Sequence, residues 1–131
     1  MIKLKEIISQ SNKRYSAVVI DEQSRDLLIS TYKSEIPEGW EIIAHHMTIN
    51  PFGLTDDTEK PVQLKVDEFG KDDKAIAVKV SGYDRKTNNK YPHITIAINR
   101  INGAKPKDSN NISNWRPIDN GIILKGVVQN L

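Results

Sequence analysis

Apolar residues divide the chain into stretches with strand-like alternation and two stretches with helical spacing. Strands are predicted over residues 15–20, 40–50, 62–69, 75–80, 91–99 and 122–128. The apolar spacing predicts helices over 22–32 and 109–115, with Asp21 and Ser109 as their capping residues. Turn residues between 62–69 and 75–80 join those two strands into a hairpin. Residues 1–12 carry one short helical stripe and are ambiguous.

Two of the three histidines stand two residues before a threonine within apolar runs. Alternate residues of a strand point to the same face, so His46 projects with Thr48. By the same alternation, His93 projects with Thr95. The opposite faces are predicted to be core faces, formed by Ile43, Met47, Ile49, Ile94, Ile96 and Ile98. A single such strand is better explained as a surface strand with a polar face, but two matched copies favour a shared cleft.

The predicted elements follow the order strand, helix, strand, hairpin, strand, helix, strand. Each half of the chain combines a helix with strands and contains one His-x-Thr motif, which indicates a duplicated motif without sequence identity. We therefore predict an α+β fold with antiparallel or mixed sheets, outer helices and a concave face between them. A chain of 131 residues suits one domain, here residues 1–131.

Composition and charge narrow the classes of partner and cofactor. The 19 basic and 17 acidic residues give a formal net charge of +2, which argues against an extended duplex-binding surface and allows a small phosphate ligand. The chain has no cysteine and no His-Glu-x-x-His pattern, so we expect no disulfide, no metal and no other cofactor. No secretory or membrane-spanning segment is visible, so we expect a cytoplasmic protein without a membrane partner. The sequence leaves the oligomeric state open, and a monomer is the default expectation.

The two His-x-Thr motifs, each followed by an apolar residue, resemble the 2H phosphoesterase superfamily. That superfamily includes LigT-like RNA phosphodiesterases, the cyclic phosphodiesterase domain of fungal tRNA ligases and phage nucleases that cut cyclic oligonucleotide signals. The resemblance implies two pseudo-symmetric lobes with an active cleft between them. It also implies metal-independent catalysis by His46, Thr48, His93 and Thr95. The chain departs from the family in its short length, in motifs only 47 residues apart, and in a second helix that follows its motif strand.

The motif residues suit acid–base cleavage of a phosphodiester. Histidine ionises near neutrality, so one imidazole can remove a proton from the nucleophile while the other protonates the leaving oxygen. The threonine hydroxyls can donate hydrogen bonds to the non-bridging oxygens. Further substrate contacts are expected from the polar loop before the second motif and from aromatic residues beside it: Tyr83, Arg85, Lys86, Lys90 and Tyr91.

Three other residues are expected to lie outside the site. His45 alternates onto the face of Ile43 and Met47, so we expect a buried, neutral histidine there. Trp40 and Trp115 are expected to be core aromatics.

These patterns favour a phosphodiesterase that acts on RNA 2′,3′-cyclic phosphate ends or on small cyclic or 2′–5′-linked oligonucleotides, with RNA or a small nucleotide as its partner. The alternative is a nucleotide- or RNA-binding module that keeps the cleft without turnover. A third interpretation is a structural domain in which the motifs are incidental strand faces. The sequence leaves open the substrate, the position of cleavage and which histidine is the base.

Overall fold

The computed structural model describes residues 13–85 and 87–131, which are mostly β-structure. The strands are β1 (Ser16–Ile20), β2 (Glu41–Ile42), β3 (His46–Asn50), β4 (Pro61–Lys71), β5 (Ala75–Ser81), β6 (His93–Ile98), β7 (Arg116–Pro117) and β8 (Ile123–Asn130). One α-helix, α1 (Glu22–Tyr32), lies within the described residues and continues into a 3₁₀ turn at Lys33–Glu35. Two more 3₁₀ helices, Arg100–Asn102 and Pro106–Asn111, follow β6. The helical stripe noted within residues 1–12 lies outside the described residues.

Six of the strands close into an antiparallel barrel. Hydrogen-bonded neighbours follow the circuit β6, β3, β1, β8, β4, β5 and back to β6. Because the barrel closes, each of its six strands pairs with a neighbour on both sides. The short strand β2 pairs with β6, and the short strand β7 pairs with β4. Large apolar side chains from alternate strand positions fill the interior, among them Val18, Met47, Leu64, Ile94 and Leu124, which are fully buried.

The predicted two-lobed α+β fold with outer helices is wrong. Strands β3 and β6, which carry the two motifs, pair directly through Met47 and Ile94 in one barrel wall. The motifs therefore lie side by side in one sheet instead of facing each other from two lobes. The helix predicted over 109–115 is also wrong, because a 3₁₀ helix forms earlier, at Pro106–Asn111. Only Ile112 and Trp115 supply apolar spacing in that stretch, too few side chains to bury an α-helical face.

The elements with strong local signals are confirmed. Asp21 caps α1 by accepting a hydrogen bond from the Ser24 amide at 2.7 Å. Leu28 and Tyr32 of that helix join the main core, and the Tyr32 ring stacks on Phe69 with ring centroids 5.0 Å apart. β4 and β5 form the predicted hairpin. Within the described part of the chain, no helix has the length and apolar character needed to cross a membrane.

A second apolar cluster covers the outer face of β5 and β6. It contains Ala75, Ala77, Ile98, Ala104 and Ile112. Trp115 packs against this outer cluster and Trp40 against the main core, and both are half-buried at the edge of their cluster and not within it. The outer cluster fastens the segment 104–115 to the outside of the barrel, where it forms one wall of the site.

A bulge interrupts the first motif strand and inverts its alternation. β2 and β3 both pair with β6, but the register changes between them. Ala44 adopts a φ of +41°, which is uncommon for a residue with a side chain. Consequently Ile43 faces outward, and His45 is exposed, so the prediction of a buried His45 is wrong. A shift in the pairing of β5 with β6 likewise turns Ile98 away from the face of Ile94.

Candidate functional site

One pocket on the outer face of the barrel brings both motifs together. Its walls include His46 and Thr48 from β3, and His93 and Thr95 from β6. The other lining residues are Ile43, Pro51, Asn89, Pro106, Lys107 and Asn110. The cavity volume of about 170 Å³ is below the roughly 300–1,000 Å³ usual for drug-sized ligands. The pocket therefore suits one small polar group with its nearest substituents.

The strand register makes the four motif side chains cross-strand neighbours. The middle residues of the two motifs lie opposite each other, and in an antiparallel pair the residues on either side are then also opposite. Thr48 consequently faces His93, and His46 faces Thr95. Opposite side chains have Cβ atoms about 4.5–5.5 Å apart, and diagonal neighbours are about 7–8 Å apart. The two imidazoles are the diagonal pair, a spacing at which both can reach one bound group.

His93 is fixed in a single orientation by a backbone hydrogen bond. Its side chain is 6 % exposed, and its Nδ1 lies 2.9 Å from the carbonyl oxygen of Tyr91. A carbonyl only accepts, so Nδ1 carries the proton, and the neutral ring keeps its lone pair on Nε2. Burial lowers the pKa of His93, and the hydrogen bond to Tyr91 opposes this shift. The ring is therefore neutral at pH 7, with Nε2 as a proton acceptor.

His46 is half-buried between two aromatic rings. Its ring lies against Tyr15, with centroids 5.6 Å apart, and its Nδ1 is 2.9 Å from the Nδ1 of His45. Burial, with smaller contributions from repulsion by His45 and His93, lowers the pKa of His46 to about 4. Both pocket imidazoles are therefore neutral at pH 7 without a bound anion, and an anion would favour their charged forms.

The two threonines of the motifs play different parts. The Thr95 hydroxyl is 3.2 Å from the Pro106 carbonyl oxygen and 2.8 Å from the Ser109 hydroxyl. Because the carbonyl only accepts, Thr95 donates to Pro106 and accepts from Ser109. Thr95 thus anchors the 3₁₀ helix and has no hydrogen left for a ligand. The half-buried hydroxyl of Thr48 makes no hydrogen bond to a described residue, which leaves it as the donor in the pocket.

The 3₁₀ helix Pro106–Asn111 provides a polar wall that the sequence analysis missed. Lys107 and Asn110 are three residues apart, the repeat of a 3₁₀ helix, and both line the pocket. The buried Oδ1 of Asn110 has no hydrogen-bond partner among the described residues. None of the described residues lining the pocket is acidic, so the ammonium of Lys107 favours an anionic ligand. The helix predicted from the sequence covered 109–115 and so did not include Lys107, which is why the spacing of Lys107 and Asn110 was missed.

Two of the predicted substrate contacts lie near the pocket. The Lys90 ammonium donates to the carbonyl oxygen of Asn110 at 3.2 Å, which places its charge beside the 3₁₀ wall. The Tyr91 hydroxyl donates to the Ser109 carbonyl oxygen at 2.6 Å, and its ring packs edge-on against His93 with centroids 5.2 Å apart. Tyr91 therefore supports His93 and the wall, and it does not line the pocket itself.

The other predicted contacts are elsewhere. Tyr83 and Arg85 line a different cavity, and the Arg85 guanidinium pairs with the Asp57 carboxylate at 2.9 Å. Lys86 lies outside the described residues. The loop that carries these residues is attached to the end of β3, where the Asn88 amide donates to the Ile49 carbonyl oxygen at 2.8 Å. Among the described residues of that loop, only Asn89 lines the pocket with the motifs.

The site has the chemistry of proton transfer around an anion. It combines a fixed imidazole acceptor, a second imidazole, a hydroxyl donor and a lysine. Within residues 13–85 and 87–131, no cluster of three or more His, Cys, Asp or Glu side chains is arranged to hold a metal ion. No family model, curated protein or solved structure matches the chain. The site is therefore interpreted from its own geometry and from the two motifs.

Proposed function

We propose that the chain is a metal-independent phosphodiesterase that uses His46 and His93 as an acid–base pair. Its substrates are RNA 2′,3′-cyclic phosphate ends or small cyclic or 2′–5′-linked oligonucleotides, as the resemblance of the motifs implies. The observation that carries the proposal is the convergence of both His-x-Thr motifs on one small pocket that a lysine also lines. Two neutral imidazoles, a hydroxyl and an ammonium around one cavity match the needs of phosphodiester cleavage.

His93 is the base in this proposal. Its Nδ1 proton is held by the Tyr91 carbonyl, so Nε2 is the nitrogen that can take a proton from the attacking hydroxyl or water. Burial that keeps the ring neutral at pH 7 also keeps this acceptor unprotonated. The nucleophile's oxygen then forms the new bond to phosphorus as its proton moves to Nε2. The same step serves a 2′-hydroxyl or a water molecule.

The opposite side of the pocket supports the leaving group and the phosphate charge. In this proposal His46, which lies diagonally across the strands from His93, protonates the departing oxygen. The Thr48 hydroxyl, opposite His93, donates to a non-bridging oxygen as negative charge builds up there. Lys107 balances the charge of the phosphodiester from the 3₁₀ wall.

The proposal is tested by incubating the full chain in EDTA with a substrate panel. The panel contains 2′,3′-cyclic mononucleotides, an RNA oligonucleotide ending in a 2′,3′-cyclic phosphate, 2′–5′ oligoadenylate and cyclic oligonucleotides. Anion-exchange chromatography measures turnover, and ³¹P NMR of the products identifies the bond that is cut. We expect turnover of at least one substrate in EDTA. We expect Thr48→Val to lose ~10–10³-fold in kcat and the matched control Thr58→Val, at an exposed threonine outside the pocket, to keep it.

The other outcomes separate the competing functions. Turnover that disappears in EDTA and returns with a divalent ion would overturn the metal-independent mechanism. Saturable binding of a nucleotide without cleavage would instead support the binding module. Neither binding nor cleavage across the whole panel would leave the motifs as incidental strand faces and would contradict the proposal.

A further inference from the structure

We propose that His45 is a positioning residue that donates its Nδ1 proton to His46, holds His46 as the Nε2–H form, and supplies the proton that His46 delivers. This inference rests on the proposed function for its kinetic consequence only. The location of the protons on the two adjacent rings is a property of the protein that can be measured without a substrate.

The contact between the two rings is direct. The Nδ1 atoms of His45 and His46 are 2.9 Å apart, and the rings meet edge to face at 83° with centroids 5.1 Å apart. Neighbouring residues in a regular strand point to opposite faces. Here the left-handed backbone at Ala44 bends the chain immediately before β3 and allows both imidazoles to meet. The His45 carbonyl accepts a hydrogen bond from the Ile20 amide at 3.1 Å, which holds the bulge against β1.

A hydrogen bond between two Nδ1 atoms has room for one proton. One ring must donate and the other must accept, so the pair holds at most one positive charge while the contact persists. His45 is exposed and its cation is solvated by water, whereas burial and repulsion by His93 disfavour a cation on His46. Solvation therefore favours a positive charge on the exposed ring over one on the half-buried ring. A charged His45 has a proton on both nitrogens and must donate through Nδ1 to His46.

This arrangement gives His46 a supply of protons that its own burial denies it. A ring whose pKa is lowered to about 4 is almost never charged at pH 7, which makes it a poor acid by itself. With His45 as donor, His46 carries its one proton on Nε2 and keeps a lone pair on Nδ1. The exposed neighbour can be recharged from solvent between turnovers.

The proton transfers balance across the pocket. The Nε2 proton of His46 moves to the leaving oxygen, which keeps the electron pair of the broken P–O bond. The Nδ1 proton of His45 moves to Nδ1 of His46, and His45 becomes neutral. On the other side, Nε2 of His93 gains the proton of the nucleophile. His93 then releases that proton to solvent, and the adjacent pair takes one up, which restores the starting state.

Three other titratable residues face His46 and bear on the test. Tyr15, directly before β1, packs on its ring, His93 lies diagonally on β6, and Lys107 lines the same pocket. A charged His93 disfavours a cation on His46, whereas Lys107 makes no such contribution. A Lys107→Gln variant should therefore leave the tautomer of His46 unchanged when His93 is neutral.

The first experiment locates the protons by NMR. The chain has three histidines, so long-range ¹H–¹⁵N spectra of the uniformly ¹⁵N-labelled full chain show three imidazoles, assigned by single His→Gln variants. Between pH 8 and 5, we expect His45 to keep a proton on Nδ1 and His46 to keep an unprotonated Nδ1. We expect His93 to remain protonated at Nδ1 throughout. A His46 that carries its proton on Nδ1 would overturn the proposal.

The second experiment separates proton supply from simple support. In His45→Asn the amide nitrogen can donate to His46 in place of Nδ1, but it cannot release a proton. We expect this variant to keep the His46 tautomer and KM, to lose ~10–10²-fold in kcat at pH 7, and to move the alkaline limb of the pH–kcat profile to lower pH. Wild-type kcat and pH profile in His45→Asn would refute the proton supply. If the wild type cleaves nothing, the proposed function fails, and the NMR result alone decides where the protons lie.

Discussion

Replacing Thr95 with valine tests the distinct part that the structure gives to this threonine. The substitution keeps the shape of the side chain and removes the hydroxyl that links the Pro106 carbonyl and the fully buried Ser109. The Ser109 hydroxyl then loses its hydrogen bond in a buried place, and the Pro106 carbonyl loses one in a partly buried place. A buried group left unsatisfied costs about 1–3 kcal/mol. For a chain of this size, 1 kcal/mol corresponds to about 4 °C in Tm, so the expected loss is roughly 4–12 °C.

A double variant checks that the loss comes from this network. Removing the Ser109 hydroxyl after Thr95→Val removes a donor that has already lost its partner. The Tm of Thr95→Val/Ser109→Ala should therefore lie above that of the Thr95→Val single variant, because the double variant no longer buries an unsatisfied hydroxyl. Thermal unfolding followed by circular dichroism measures all of these variants and the wild type under one set of conditions.

The comparison with Thr48 carries the functional part of the prediction. At temperatures well below its Tm, Thr95→Val should keep kcat within about tenfold, since its hydroxyl does not reach the phosphate. Thr48→Val should show the opposite behaviour, with a nearly unchanged Tm and a ~10–10³-fold lower kcat. An unchanged Tm for Thr95→Val would refute the anchoring role. A larger loss of kcat in Thr95→Val than in Thr48→Val would return Thr95 to the set of phosphate donors.

Further predictions concern stability. His46 is neutral in the fold while its unfolded form takes up protons near its ordinary pKa, so wild-type stability should fall as pH drops from about 6.5 towards about 4. Urea unfolding at several pH values should show this slope, and His46→Gln should reduce it. Asp21→Ala should lower the Tm by removing the α1 cap, whereas Asp21→Ser should retain most of the capping stability. The hydrogen bonds from Ser24 lower the pKa of the Asp21 carboxylate, so the capping contribution should disappear as acid protonates it. Gly70→Ala should lower the free energy of unfolding by about 1–3 kcal/mol, since the new Cβ would lie 2.7 Å from side-chain atoms of Ile112 and Trp115. A melting curve identical to that of the wild type would contradict this close packing.

The sequence could predict those elements whose signal is local. Alternation along β4 placed Val62, Leu64 and Val66 in the core, where they are buried. The carboxylate of Asp21 directly before an apolar helical repeat was enough to locate the start of α1. The same alternation predicted the face shared by each histidine with its threonine, and all four side chains line one pocket. Local periodicity thus predicted the four motif residues of the site but not the 3₁₀ wall beside them.

The parts that were missed depend on contacts between distant residues or on an unmarked backbone bend. No local sequence feature near positions 47 and 94 indicates that they pair. Barrel closure could therefore not be predicted from the sequence, and two lobes were predicted instead. Alanine seldom adopts a positive φ, so no turn residue signalled the bulge at Ala44 that exposes His45. Thr95 meets Ser109 fourteen positions later through a 3₁₀ helix that has little sequence signal.

The central claim is that His46 and His93 act on the same phosphodiester. The measurement that tests it most directly is kcat for His46→Ala, His93→Ala and the double variant, on the substrate that the panel identifies. The account predicts a loss of ~10²–10⁴-fold for each single variant and little further loss in the double variant, because residues that act as a unit are not additive. Near wild-type kcat in either single variant, or losses that multiply in the double variant, would contradict it.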